Sequence, residues 1–259
     1  MRAVVVEGPN RVSYREVQAP VVGADDVLVE SREGGLCRTD IEMMTGVFTD
    51  PRWVRFPVIP GHEWAGTVVE VGANVESVEV GDRVVCEGFV VCHRCRRCRS
   101  GETQWCERIE ALGFTRPGGY AELVAVPEQV VHRLPEHVSF DAGVLVEPAS
   151  VVLRGLEKAR PQTGEAVGVI GVGTLGALAI ALLRLQSPSR IVAFGVREEE
   201  LELARRLGAT EVVLAGDGTP PAADLDPIVT HRFPMSDFEE AVALMDDRRG
   251  IVAKIVLEH

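Results

Sequence analysis

The stretch "EAVGVIGVGTLGALAIALLRLQ" (residues 165–186) decides how the second half of this chain is read. Ala166 to Ile170 is a short apolar run of the kind that forms a buried strand. Gly171-Val172-Gly173-Thr174-Leu175-Gly176 follows as a GxGxxG turn, and an apolar helix comes after it. In that helix Leu175, Leu178, Ala179, Leu182 and Leu183 recur at i, i+3, i+4, i+7 and i+8, which predicts one core-facing stripe. A glycine-rich turn alone is often only a turn. Between a strand and a helix it has the context of a dinucleotide site, where glycines let the backbone approach a pyrophosphate resting on the positive helix N-terminus.

Working outward, "RIVAFG" (190–195) reads as a second strand. "REEELELARRLGA" (197–209) reads as a helix with acids in its first turn and Gly208 at its stop. "TEVVLAG" (210–216) supplies a third strand. This β-α-β-α-β order implies a parallel sheet with right-handed crossovers. Gly195 stands where an acid would grip the ribose hydroxyl of NAD, and Arg197 follows. That pair favours NADP, with NAD still possible; the alternative is that Arg197 is only a solvated helix-start residue. After "DGTPPAAD" (217–224) the capping box Ser236-Asp237-Phe238-Glu239 predicts another helix, and "IVAKIVL" (251–257) a last strand.

The first half has a different texture. "AVVVEGPN", "DDVLVES", "AGTVVEVG", "GDRVVCEG" and "AELVAVPE" are short β-type runs separated by Gly, Pro and Asp, the pattern of a partly closed all-β unit. The boundaries implied are 1–155 for a β-rich domain, 156–224 for a partial nucleotide-binding domain and 225–259 for a segment returning to the first. The fold class expected is therefore α/β plus β.

Composition narrows the function. The chain has 259 residues, 46% of them apolar and 25% charged, and a net charge of −12. Such a charge repels phosphate backbones and anionic lipid, so neither nucleic acid nor membrane is an expected partner. Ala166 to Leu183 is uncharged but carries four glycines in its first eleven residues, which suits a strand and turn better than a lipid-facing helix. No secretory signal is visible, so a cytoplasmic location with reduced thiols is expected.

The other concentrated signal is Cys92-x2-Cys95-x2-Cys98-x7-Cys106. Four thiolates at about 2.3 Å close a tetrahedral zinc shell, which makes a structural site. Arg94, Arg96, Arg97 and Arg99 sit among them and offset its negative charge. An iron–sulfur cluster, a nucleic-acid zinc knuckle and CxxC redox chemistry are the rivals. Glu107 stands where a cluster motif often has proline, and the acidic remainder does not suit a knuckle.

Taken together, "GLCRTD" (35–40), "PGHEWAGTVVEVG" (60–72), "GDRV" (81–84), the cysteine lobe, "GGYAELVAVP" (118–127), "VEPASVV" (146–152) and "GVIGVGTLG" (168–176) resemble the zinc-dependent medium-chain dehydrogenases of alcohols and polyols. The resemblance implies a GroES-like catalytic domain with a Rossmann domain and two zinc ions per chain. It implies that Cys37, His62 and Glu147 ligate a catalytic zinc, with Glu63 able to reach the metal during exchange. Thr39 would take the substrate proton, Asp40 would stand behind a ligand, and Glu42 occupies a position where many relatives have a relay histidine. The substrate implied is an alcohol, polyol or sugar. The second β-α-β half of the nucleotide domain, roughly 60 residues, is missing from the pattern. Two readings follow: an alcohol-type dehydrogenase impaired by that gap, or a non-redox zinc relative that binds a partner or acts as a lyase or isomerase. The gap also leaves Ala166 to Ile170 as an exposed sheet edge, from which either self-association or a loosely ordered 160–224 region is expected.

Overall fold

The computed structural model describes residues 1–214, 229–246 and 254–258. The bridge at 217–224 and the start of the last predicted strand, 251–253, lie outside these. The chain divides into two compact units. One comprises Met1–Glu147, Phe233–Val242 and Val256–His259, and the other Pro148–Arg232 and Ala243–Ile255.

In the first unit, β1 (Arg2–Gly8) and β2 (Arg11–Glu16) form a hairpin, and β3 (Asp26–Leu36) runs into α1 (Arg38–Thr45). Next come β4 (Glu63–Val71), β5 (Arg83–Cys86), β6 (Phe89–Val90), the short α2 (Arg96–Arg99), β7 (Glu110–Ala111), β8 (Leu123–Pro127), β9 (Val131–Arg133) and α3 (Phe140–Val144). Strand β3 is long enough to pair β4 along most of its length and β8 through Asp26–Glu30. Val27, Val29, Trp64, Val68, Val84, Val124 and Val126 alternate inward from these strands into one buried cluster. Each such side chain contributes about 1.5–3 kcal/mol of burial free energy. The register is therefore held firmly, because a one-residue slip would turn that apolar set outward.

Helix α4 (Val146–Ala159) leads into the second unit, where β10 (Ala166–Ile170), α5 (Thr174–Leu183), β11 (Arg190–Gly195), α6 (Glu198–Leu207) and β12 (Glu211–Leu214) follow in turn. The three strands are parallel in the order β10-β11-β12, as the alternating pattern requires. Helix α6 ends at Gly208, whose φ of 105° is the left-handed stop expected there. The chain continues through β13 (Val229–Pro234), α7 (Phe238–Asp246) and β14 (Lys254–Glu258). These two strands complete a seven-stranded sheet ordered β13-β14-β3-β4-β5-β9, with β8 also on β3.

Three local expectations are corrected. Strand β10 is not buried: its residues alternate between exposed and half-buried, and Ile170 is 89% exposed. Among the described residues β11 is its one neighbour. In α5 the buried residues are Ala177, Leu178, Ile180 and Leu183, whereas Leu175 is exposed. That helix is apolar nearly all round, so periodicity cannot choose a face and packing does. Finally, Ser236 does not cap α7. It lies in a 3-10 turn, Met235–Asp237, that runs straight into the helix, and its hydroxyl donates to Asp237 Oδ1 at 2.8 Å.

Candidate functional site

The pairing of β3 with β4 builds the first site. The antiparallel register sets Gly35 opposite Glu63, so the residues just beyond, Cys37 and His62, leave the sheet at the same end. Cys37 caps α1 in an extended conformation. His62 follows Gly61, whose φ of 94° turns the chain into β4 in a conformation that favours glycine. One ligand atom from each of Cys37, His62 and Glu63 lies within 4.8 Å of the others. A thiol, an imidazole and a carboxylate converging in this way suit a zinc ion with a position left for a further ligand.

Asp40 stands behind this group and is fully buried. Its Oδ1 lies 3.4 Å from His62 Nδ1, and its Oδ2 accepts from Cys37 N at 2.9 Å and from the Tyr120 hydroxyl at 2.8 Å. An acid against Nδ1 leaves the other ring nitrogen for a metal. Burial opposes charge on both partners, yet their mutual attraction wins: His62 is held well above its usual pKa and Asp40 below its own. Binding a metal through His62 therefore releases a proton.

The remaining predicted residues are spread around this centre. The Cys37 thiol donates to Thr39 Oγ1 at 3.8 Å. The Glu42 carboxylate faces Arg38 Nε at 3.7 Å. Glu147, at the start of α4, is outside the group of three; its Oε1 is 3.4 Å from where a Cβ on Gly88 would lie. Tyr120 is the residue that the sequence reading missed here. Its only signal was its place in "GGYAELVAVP", a motif read for resemblance rather than for chemistry.

The second site is local. Cys92, Cys95, Cys98 and Cys106 bring their sulfurs within 4.8 Å of one another, with Cys92 Sγ 3.5 Å from Cys106 Sγ and 4.0 Å from Cys98 Sγ. A tetrahedral zinc with 2.3 Å bonds needs sulfurs about 3.8 Å apart, so this set fits. Backbone N–H groups of Cys98 and Arg108 point at the sulfurs of Cys95 and Cys106. The N–H of Arg94 and further donors draw the Cys92 thiol down to about 6, while burial and the neighbouring thiols push Cys98 up to about 12. Cys86, the sixth cysteine, is buried in the core and belongs to neither group.

The third site lies in the second unit. Gly171 leaves β10 with φ of 87°, Gly173 caps α5, and a Cβ on Gly176 would fall 1.8 Å from Gly171 O. Nothing lies within 4 Å of a Cβ on Gly173, so backbone at the start of α5 is open to a ligand. Thr174 and Leu175 form the first turn of that helix. At the end of β11 the Arg197 guanidinium donates from Nε (2.9 Å) and Nη2 (2.6 Å) to Glu200 Oε1. Glu200 Oε2 accepts from Val196 N at 3.1 Å and lies 3.3 Å from where a Cβ on Gly195 would be. Sequence reading missed Glu200 as a partner of Arg197, although their i, i+3 spacing at the start of α6 was a signal.

A cleft of about 830 Å³ lies beside the cysteine lobe, lined by Arg52, Trp53, Arg55, Cys92 and Arg108 among others, and Cys37, His62 and Glu63 are not part of it. Among the described residues no helix is long and apolar enough to cross a membrane.

Comparison with known proteins agrees with this architecture. Residues 23–136 match the alcohol dehydrogenase GroES-like domain. D-arabinitol dehydrogenase 1 of Uromyces fabae is 36% identical over 211 residues, covering 82% of this chain and 59% of that protein. L-threonine 3-dehydrogenase of Streptomyces coelicolor is 36% identical over 223 residues, covering 85% and 64%. The crystal structure of galactitol-1-phosphate dehydrogenase from Escherichia coli shares the fold, with a TM-score of 0.88 at 21% identity and 100% of both chains covered. The chain belongs to the zinc-type medium-chain dehydrogenase/reductase family. It spans about three fifths of the length of these two curated relatives, 59% and 64%.

Proposed function

We propose that this chain is an alcohol-type oxidoreductase that moves hydride between a small alcohol, polyol or sugar and NAD(P), using two zinc ions. The convergence of Cys37, His62 and Glu63 in front of a buried Asp40 carries this reading. Cys37, His62 and Glu147 would hold one zinc, and Glu63, already beside the first two, would be a further ligand to it. The four cysteines hold the other, as a structural cross-link of the lobe. When bound, zinc supplies Lewis-acid polarisation of the substrate oxygen and the dinucleotide supplies the hydride carrier. Thr39, two residues after Cys37, takes the hydroxyl proton, and Glu42, within α1, stands where many relatives have a relay histidine. Asp40 keeps the His62 ring oriented. Gly171, Gly173, Thr174, Leu175 and Gly176 seat the pyrophosphate at the N-terminus of α5.

Arg197, beside Gly195, selects NADP over NAD. A protein of Sinorhizobium meliloti 1021 crystallised with NADP shares the fold at a TM-score of 0.91 and 21% identity. We assign residues 1–155 to the catalytic domain, 156–224 to the nucleotide domain and 225–259 to the returning segment, and we place the protein in the cytoplasm. Strand β10 offers its free edge for self-association.

A second reading, zinc chemistry or partner binding without hydride transfer, is favoured by one observation. The parallel sheet has three strands among the described residues, where a complete dinucleotide fold has six. Titrating NADPH and NADH against the zinc-loaded protein by fluorescence, then assaying a polyol panel with NADP, separates the two. Binding with turnover supports the dehydrogenase. No binding of either nucleotide supports the second reading.

A further inference from the structure

We infer that Tyr120 is the positioning residue of the open metal site, setting both ligand-bearing segments at once through its ring and its hydroxyl. The inference rests on the open-site reading above and adds to it a residue that is not among the candidate ligands. Tyr120 is completely buried. Its hydroxyl lies 2.8 Å from Gly35 O, two residues before Cys37, and 2.8 Å from Asp40 Oδ2. A carbonyl oxygen only accepts, so one phenolic hydrogen is shared between the two. Asp40 passes the constraint on, taking Cys37 N at 2.9 Å with one oxygen and facing His62 Nδ1 at 3.4 Å with the other.

The ring acts on the other segment. A Cβ on Gly61, next to His62, would lie 2.4 Å from Tyr120 Cδ1, so the ring rests directly on the backbone that aims the imidazole. The same ring would meet a Cβ on Gly34 at 3.2 Å. Backbone bonds hold the ring in place: Gly118 N to Ile59 O (2.8 Å), Gly119 N to Gly61 O (2.8 Å) and Tyr120 N to Pro60 O (3.0 Å). Cys37 and His62 belong to segments 25 positions apart, and Tyr120 reaches both, through Gly35 on one and Gly61 on the other, with Asp40 as the second bridge between them.

The test strips the protein of metal and titrates it with Co²⁺, reading the visible d–d absorption of each site. Tyr120→Phe keeps the ring and removes the hydroxyl. It should weaken Co²⁺ at the open site by about 10–100-fold and shift that site's d–d bands, leaving the cysteine lobe's sulfur-to-cobalt bands unchanged. Unchanged affinity and bands at the open site would overturn the inference. A wild-type protein that takes up one Co²⁺, in the lobe only, overturns the open-site reading and this inference with it. A second measurement does not depend on the variant folding. The sequence has two tyrosines, Tyr14 and Tyr120, so protein made with 3-fluorotyrosine gives two ¹⁹F resonances. Filling the open site should move the Tyr120 resonance and leave Tyr14 in place; a Tyr120 resonance that stays put counts against the inference.

Discussion

The two candidate metal centres are coded in opposite ways. The cysteine lobe draws all four sulfurs from residues 92–106, around the short helix α2. The open site draws Cys37 from the end of β3 and His62 from the start of β4, with Asp40 and Tyr120 behind them. A lobe of the first kind needs little beyond its own segment and a metal. A site of the second kind exists only if a sheet register, a left-handed turn and a buried phenol are all in place. The difference teaches where each site is vulnerable: one to loss of a ligand, the other also to changes in residues that touch no ligand atom.

The largest expected effect tests the local site. Cys95→Ser should reduce the zinc content from two equivalents to one and melt the 92–108 segment, because structural zinc supplies on the order of 10 kcal/mol to such lobes. Metal analysis with hydrogen exchange would read it. A variant that keeps two zinc ions and a protected lobe breaks the comparison from this side.

Gly61→Ala tests the distributed site. A Cβ there meets the Tyr120 ring at 2.4 Å on a backbone with φ of 94°. About 2–3 kcal/mol of stability should be lost, visible as a lower urea midpoint. Zinc should leave the open site while the lobe keeps its own. Loss of the lobe zinc instead would mean that the two centres are not independent.

The nucleotide site is local in both its parts, the turn at 171–176 and the selector at 195–200. Gly195→Asp would place a carboxylate beside that of Glu200, whose Oε2 is 3.3 Å from the new Cβ. NADPH binding should weaken relative to NADH by about tenfold, or roughly 1.4 kcal/mol. Tighter NADH than NADPH binding by the wild-type protein would sink the Arg197 assignment.

The smallest effect is a pH dependence of the metal-free protein. Because Asp40 raises the folded pKa of His62 above 6.5, the pair stabilises fully below pH 6.5, and that contribution fades as pH rises through the folded value. Asp40, lowered from 3.8, loses its share as pH falls through its own depressed value. Urea midpoints of chelated protein should therefore decline above neutrality, and Asp40→Asn should flatten the profile. With zinc bound the direction reverses, since protons compete with the metal for His62. A chelated protein whose midpoint is flat between pH 6 and 9 would argue against the ion pair.

How legible each part was follows from the range of the interactions that make it. The β-α-β-α-β order, the left-handed stop at Gly208 and the cysteine lobe depend on neighbours a few residues away, so periodicity, a positive-φ glycine and ligand spacing revealed them. The apolar face of α5 could not be read, because a helix with Leu, Ile and Ala on every side has no polar stripe to orient it. Read locally, β10 passed for a buried strand, because an apolar strand reads the same at a sheet edge as in its middle; its edge position followed only from the missing second half of the pattern. Ser236 matched a capping pattern, but the chain entered α7 through a tighter turn that bypassed it.

By itself, then, the sequence determined the parts whose free energy is settled within a few turns or one loop: the GxGxxG turn, the strand and helix order, and four thiols spaced to share an ion. Only the tertiary structure decided that Gly35 faces Glu63, that Asp40 turns toward His62, and that Tyr120 fills the space against Gly61. Those placements come from close packing and sheet register between segments far apart in the chain, where a burial preference says that a side chain is inside but not what it touches.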